Sequence, residues 1–116
     1  MVLDDGTEVY PDLMVLRPRA DRYAESNPRG EDVLLVVEVA DTSLAADTGV
    51  KLAKYAHAGI RLYWVVDIPN RTLHAYRDPN VFAGRYRQLH SVGEGAIGVS
   101  IQGADFRVEV GDLFPR

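Results

Sequence analysis

The longest apolar run in the chain is VLLVVEVA, residues 33–40. Successive side chains of a β-strand point to opposite faces. One face would carry Leu34, Val36, Glu38 and Ala40, and the other Val33, Leu35, Val37 and Val39. Both faces are apolar apart from Glu38, which predicts a central strand covered on two sides. Because burying an unpaired charge costs several kcal/mol, Glu38 needs compensation, and we expect a metal ion held by Glu38 and a second acid upstream of it.

The segment after this strand has helical character, and we predict one helix over residues 43–58. Either Ser43 or Asp47 could cap its start, and Asp47 is favoured because Gly49 weakens the early part. Gly59 is placed to end the helix in a left-handed conformation.

The remaining pattern predicts mostly strands. IRLYWVVD, residues 60–67, is a second apolar run, and the strand–helix–strand order implies a crossover between parallel strands. TLHAYRD, GRYRQLHSV and AIGVSIQ indicate further strands, and VEVGDLFPR a short closing helix or irregular structure. Near the start, Asp-Asp-Gly-Thr predicts a hairpin whose second arm runs from about Glu8 to Leu16. Together these elements predict an α/β fold, a mixed sheet with at least one flanking helix, in a single domain over residues 1–116.

Composition narrows the classes of function. The chain has no cysteine, which excludes disulfides and thiolate metal sites. No apolar run approaches the ~20 residues of a membrane span and no signal peptide is visible, so we expect a cytoplasmic protein without a membrane partner. The formal charge of -4 disfavours non-specific wrapping of nucleic acid. Four arginines within residues 17–29 could contact phosphates, although a charge-rich loop is usually solvated.

Three residues could carry chemistry together: Asp12, Glu38 and Lys51. Mg²⁺ takes oxygen ligands and keeps several waters, so one or two carboxylates suffice to bind it. Such an ion neutralises charge that develops on a phosphate, and a nearby lysine can orient the attacking water. Each residue also has an ordinary alternative, as a turn aspartate, a solvated strand glutamate and a surface lysine. No ligand-like spacing links the three histidines, so zinc is not expected.

Three stretches resemble the Uma2 family of restriction-endonuclease-like proteins, part of the P-D…(D/E)-x-K nuclease superfamily. They are YPDLMVLRP, VLLVVEVADTSLAADTGVKLAKYAHAGIRLYWVVD and RTLHAYRD, and they cover roughly residues 9–78. The resemblance implies a restriction-endonuclease-like mixed β-sheet with a flanking helix. It also implies an endonuclease that hydrolyses DNA phosphodiester bonds with Mg²⁺ or Mn²⁺.

The resemblance assigns roles by position. Asp12 matches the acid of the Pro-Asp motif and Glu38 the second acid, both expected metal ligands, with the carbonyl of Val39 as a third ligand. The superfamily pattern places lysine two residues after the second acid, where this chain has Ala40. In this family the lysine role lies on the following helix, where Lys51 matches it.

Asp47 and Tyr55 match further recurrent family positions, and we interpret them as a helix cap and as a packing or positioning residue. Leu62 replaces the acid that usually precedes the Tyr-Trp pair. The family also has an N-terminal helical region, so we expect an N-terminally truncated fold. Truncation leaves an alternative function open, a catalytically inactive scaffold that binds DNA or self-associates as a homodimer through uncovered apolar surface.

Overall fold

The computed structural model describes residues 1–3, 6–24 and 26–115. Its main sheet has five strands in the order β1-β2-β3-β4-β5. Their bounds are β1 Leu13–Leu16, β2 Val33–Ala40, β3 Leu62–Asp67, β4 Thr72–Asn80 and β5 Arg85–Val92. Strands β2 and β3 are parallel and the other neighbours are antiparallel. The predicted α/β class, the mixed sheet and the internal position of β2 are therefore confirmed.

Two short helices, not one, connect β2 to β3. Helix α1 is Leu44–Asp47 and helix α2 is Val50–His57. The chain approaches itself closely at the joint, since a Cβ on Gly49 would lie 2.6 Å from the carbonyl oxygen of Ala45. The prediction of one helix over residues 43–58 is wrong at this point.

The predicted start of the helix is wrong and its predicted end is confirmed. Asp47 as an N-cap is wrong, because it is the last residue of α1 and no side chain caps the start of α2. Gly59 follows α2 with φ +76°, a left-handed conformation that a glycine adopts without the steric cost of a Cβ, so the predicted end is confirmed.

Apolar clusters cover both faces of the sheet. On the helical side, Val36 and Tyr63 pack with Tyr55 of α2. On the other side, Trp64 and Val66 pack against the C-terminal part of the chain. Val33 lies in the helical-side cluster rather than on the face predicted for it, because the β1–β2 register shifts at a bulge between Val15 and Leu16.

The C-terminal part is a separate antiparallel ribbon of two strands. Strand β6 is Ala96–Ile101 and strand β7 is Ala104–Glu109. A short 3₁₀ helix, Val110–Leu113, follows, so the predicted short closing helix is present over these residues. Val108 and Glu109, which the prediction included in that closing segment, belong to β7 instead. Ile97, Val110 and Phe114 supply the apolar side chains that cover Trp64.

At the other end of the chain, the predicted Asp-Asp-Gly-Thr turn includes Asp4 and Asp5, which lie outside the described residues. The flanking backbone pairs as expected of a hairpin, with Val2 opposite Glu8 and the Leu3 amide donating to the Thr7 carbonyl at 2.8 Å. Of the predicted second arm, only β1 is a regular strand. None of the helices in the described part of the chain has the length and apolar character that crossing a bilayer requires.

The close approach at the joint between α1 and α2 leads to a prediction for a substitution at Gly49. Gly49→Ala would place a methyl group against the Ala45 carbonyl, so we expect the free energy of unfolding to fall by about 1–3 kcal/mol. Gly111→Ala is the control, because its Cβ meets no atom within 4 Å and should change stability by less than about 0.5 kcal/mol. Urea denaturation measures both, and equal midpoints would contradict the close approach at Gly49.

Candidate functional site

Asp12 and Glu38 lie side by side where β1 joins β2. Because Leu13 is paired with Val37 in antiparallel register, the residue before β1 lies next to Glu38. The backbone amide of Asp12 donates to Glu38 Oε1 at 3.0 Å, and the amide of Val39 donates to Asp12 Oδ2 at 2.7 Å. These reciprocal bonds hold the two predicted acids together.

Lys51 completes the predicted set. Its Nζ lies 2.6 Å from Glu38 Oε2, so a lysine in the first turn of α2 reaches the middle of the sheet. The Glu38 side chain is 2% exposed and that of Lys51 is 45% exposed. The structure thus brings together Asp12, Glu38 and Lys51, which are 26 and 13 residues apart along the chain.

The contact between Glu38 and Lys51 affects the pKa values of the two side chains differently. Burial raises the pKa of Glu38, and the bonds from Lys51 and from the Asp12 amide offset only part of that effect. The hydrogen bond to Glu38 raises the pKa of Lys51, so the amine stays protonated. Lys51 therefore supplies the compensating charge that Glu38 requires, and some of the cost of burying the carboxylate remains.

Asp47 is a member of the site that sequence reasoning interpreted only as a cap. The residue is 1% exposed, and its Oδ2 accepts a hydrogen bond from Ser43 Oγ at 2.7 Å. Its Oδ1 lies 3.1 Å from Lys51 Nζ, an ion pair whose alignment does not amount to a hydrogen bond. The i, i+4 spacing of Asp47 and Lys51 was the signal available in the sequence.

A group of tyrosines lies beneath these charges. Tyr63 donates its hydroxyl to the Asp47 carbonyl at 2.6 Å and contacts Tyr55 with ring centroids 4.9 Å apart. Burial raises the pKa of both phenols, which keeps them neutral. Tyr55 is 2% exposed and packs in the core, one of the two roles considered for it. The tyrosines give the α1–α2 joint a rigid support.

The donors at the site suit a hard cation. Asp12 and Glu38 offer carboxylate oxygens, and Val39 lies beside them, with its amide bonded to Asp12. The Val39 carbonyl as a third ligand stays a prediction. In the described part of the chain, no group of three or more His, Cys, Asp or Glu side chains could hold a metal ion. Mg²⁺ needs only one or two carboxylates besides waters, whereas zinc requires more protein ligands. The residual cost of the buried Glu38 charge also favours a nearby cation, so the residues present fit Mg²⁺.

The arginine-rich segment keeps most of its observed contacts local. Arg19 Nε forms an ion pair with Asp21 at 2.7 Å, and its guanidinium lies 3.9 Å from the ring centroid of Tyr23. Arg17 donates to the Glu31 carbonyl at 3.0 Å. Phosphate contact by this segment stays a prediction.

One known protein family matches most of this chain. The sequence model of the Uma2 family, described as "Putative restriction endonuclease", matches residues 1–108 of the 116-residue chain. The chain belongs to the Uma2 family. Membership confirms the resemblance, is consistent with the restriction-endonuclease-like fold of the mixed sheet, and supports a nuclease-like function at the level of the Uma2 family. A search of the curated proteins found no significant match.

The Glu38–Lys51 contact predicts a pH-dependent stability difference. Lys51→Met leaves Glu38 and Asp47 buried without their cation, so the variant should lose on the order of 2 kcal/mol at pH 7. This is less than for a fully buried pair because Lys51 is half exposed. Since the pKa of Glu38 is raised in the folded state, protonation relieves the loss. The difference from wild type should therefore be small below pH 4.5 and grow as pH rises through the raised pKa.

Urea denaturation between pH 4 and 8 measures that difference. Lys54→Met is the matched control, since Lys54 lies on the same helix and is exposed. A loss that does not vary with pH, or one shared by both variants, would contradict the role of Lys51.

Proposed function

We propose that this Uma2 protein is a divalent-metal-dependent endonuclease that hydrolyses DNA phosphodiester bonds. The observation that carries the proposal is the buried Glu38 carboxylate, bonded on one oxygen by the Asp12 amide and on the other by Lys51. Family membership supports a nuclease-like function. The metal, the substrate and the roles of the residues are our own inference.

In this proposal Asp12, Glu38 and the carbonyl of Val39 hold Mg²⁺ or Mn²⁺. When bound, such an ion makes water more acidic and neutralises charge on the phosphate. The protein's part is to hold the two carboxylates adjacent. The Val39 amide orients Asp12, and Lys51 favours the ionised form of Glu38.

Lys51 has a second role, because its ammonium group has three hydrogens to donate. One of these hydrogens is donated to Glu38, and the contact with Asp47 is an ion pair without hydrogen-bond alignment. The Lys51 side chain is 45% exposed, so it can also donate to a water or a phosphate oxygen. Lys51 would thereby orient the attacking water or stabilise the charge of the transition state.

The alternative, a non-catalytic scaffold, has one observation in its favour. Tyr10 and Leu13, which flank Asp12, are 81% and 58% exposed. Apolar side chains that form a contiguous exposed patch are typical of surfaces that bind a partner or a second copy, whereas single exposed ones are common on any surface. The two functions differ in whether the protein breaks phosphodiester bonds.

Plasmid nicking with Mg²⁺ or Mn²⁺ tests the enzyme directly. Wild type should convert supercoiled plasmid to open circles, and both Glu38→Ala and Lys51→Ala should lower the rate by about 100-fold or more. Lys54→Ala should keep the wild-type rate. Thermal melts establish that each variant is folded, and Glu38→Gln replaces Glu38→Ala where the smaller residue unfolds the protein.

Two outcomes contradict the proposal in different ways. Nicking that survives in both Glu38 and Lys51 variants would place the activity at another site or in a contaminant. Intact plasmid with folded wild type, and no heat of Mg²⁺ binding in calorimetry, would support the scaffold.

Metal binding has its own signature at Glu38. A bound dication favours the ionised carboxylate, so the pKa of Glu38 should fall when Mg²⁺ is added. A ¹³C NMR titration of the Glu38 carboxyl carbon measures the pKa, with Na⁺ at equal ionic strength as the control. An unchanged pKa at saturating Mg²⁺ would contradict Glu38 as a metal ligand.

A further inference from the structure

A second polar group lies at the end of β3, outside the residues already assigned. Asp67 is 1% exposed, and its Oδ2 lies 3.1 Å from His74 Nε2. The other nitrogen of the same ring, His74 Nδ1, lies 2.8 Å from Ser91 Oγ. These contacts form a continuous series of hydrogen bonds from a buried carboxylate, through an imidazole, to an exposed hydroxyl.

The positions of the hydrogens on His74 and Ser91 follow from the ionisation state of Asp67, the buried member of this series. Burial would raise the pKa of Asp67, but hydrogen bonds from the Asn70 side chain, from His74 and from the Asn70 amide more than offset it, and the pKa is lowered. An ionised carboxylate can only accept hydrogen bonds, so His74 Nε2 carries a hydrogen and donates it. In the neutral ring Nδ1 is then an acceptor, and the Ser91 hydroxyl donates its hydrogen inward.

Protonation of His74 reverses the direction of the second bond. Nδ1–H then donates to Ser91 Oγ, and the hydroxyl hydrogen is free to point outward. Among the described residues, the ring forms its ion pair with Asp67 on β3, and its hydrogen-bond partner on β5, Ser91, is neutral. An anion that accepts the outward hydrogen therefore favours the imidazolium form.

The sheet places this group on the same face as Glu38. Glu38 pairs with Val65, Val65 with His74, and His74 with Ser91, so the four residues form one row across β2 to β5. Directly paired residues share a face. Three strand spacings separate Glu38 from Ser91, roughly 14 Å across the sheet. Val65, which lies between them, is fully buried in the helical-side cluster, so a nucleic acid strand that contacts both sites would cross over that cluster to reach Ser91.

We propose that Ser91, held by His74, is a contact site for a backbone phosphate of the DNA, and that the contact takes up one proton at His74. This inference rests on the proposed function. Its charge balance is favourable: Asp67 presents no negative charge to the surface, and the protonated ring lies between the buried carboxylate and the phosphate. Serine hydroxyls are common phosphate contacts and position the backbone without reading sequence. Ser91 is the contact residue and His74 its positioning residue.

The test is DNA binding as a function of pH, by fluorescence anisotropy of a labelled duplex. Ca²⁺ replaces Mg²⁺, and a denaturing gel verifies that the duplex stays intact. Wild type should bind about tenfold more tightly at pH 6 than at pH 8, because one charge-assisted bond is gained. Ser91→Ala should weaken binding at pH 6 by about 3- to 10-fold. His74→Gln should abolish most of the pH dependence.

Two matched controls separate this site from general effects. His90→Gln should keep the wild-type pH dependence, because His90 is paired with Ala75 on the opposite face of the sheet. Ser100→Ala should keep wild-type affinity, since that hydroxyl donates to Asp105 in the β6–β7 ribbon and contacts no histidine there.

NMR reports on the proton itself. The ¹⁵N shifts of the His74 ring should show the Nε2–H tautomer in the free protein, and imidazolium when the duplex is added at the same pH. A structural role for His74 would leave these shifts unchanged.

The outcomes distinguish the two proposals. If folded wild type does not bind DNA at either pH, the proposed function fails and the phosphate site fails with it. If wild type binds but the pH dependence is absent, or persists in His74→Gln, the phosphate site is overturned and the nuclease proposal stands. Unchanged affinity in Ser91→Ala likewise overturns the phosphate site alone.

Discussion

A charged carboxylate in the middle of an apolar strand is the constraint on which the rest of this structure depends. Glu38 lies on β2, an internal strand of the sheet, and is almost fully buried. Such a group persists only if the fold supplies compensating contacts. Two parts of the chain do so, the segment before β1 through the Asp12 amide and helix α2 through Lys51.

That requirement explains the unusual crossover between β2 and β3. The chain divides into two short helices at Gly49, where a side chain would collide with the Ala45 carbonyl. The arrangement leaves Asp47 at the end of α1 and Lys51 in the first turn of α2, so that one ammonium contacts two buried carboxylates. Tyr63 supports the joint from below through the Asp47 carbonyl.

The charges at the site do not balance within the described contacts. Two buried carboxylates, Glu38 and Asp47, share one lysine, Asp12 lies next to Glu38, and the pKa of Glu38 remains raised by its burial. An arrangement chosen only for stability would replace such a group with apolar residues. Retaining it is typical of a functional site, where stability is given up for chemistry. Membership of the Uma2 family supports a nuclease-like function at the level of the family. A shared fold does not by itself establish activity.

The sequence alone determined most of the strands, though not β7, and the internal position of β2, because apolar periodicity directly reflects which faces are buried. It also singled out Glu38 as a charge in an apolar run, and Asp12 and Lys51 through the resemblance to a family. Tertiary structure decided what local pattern does not encode. The break between the helices at Gly49 depends on a contact with Ala45. The role of Asp47 depends on the direction in which the Lys51 side chain extends. The alignment of Glu38 with His74 and Ser91 depends on the register of four strands, which pairs residues from distant parts of the chain.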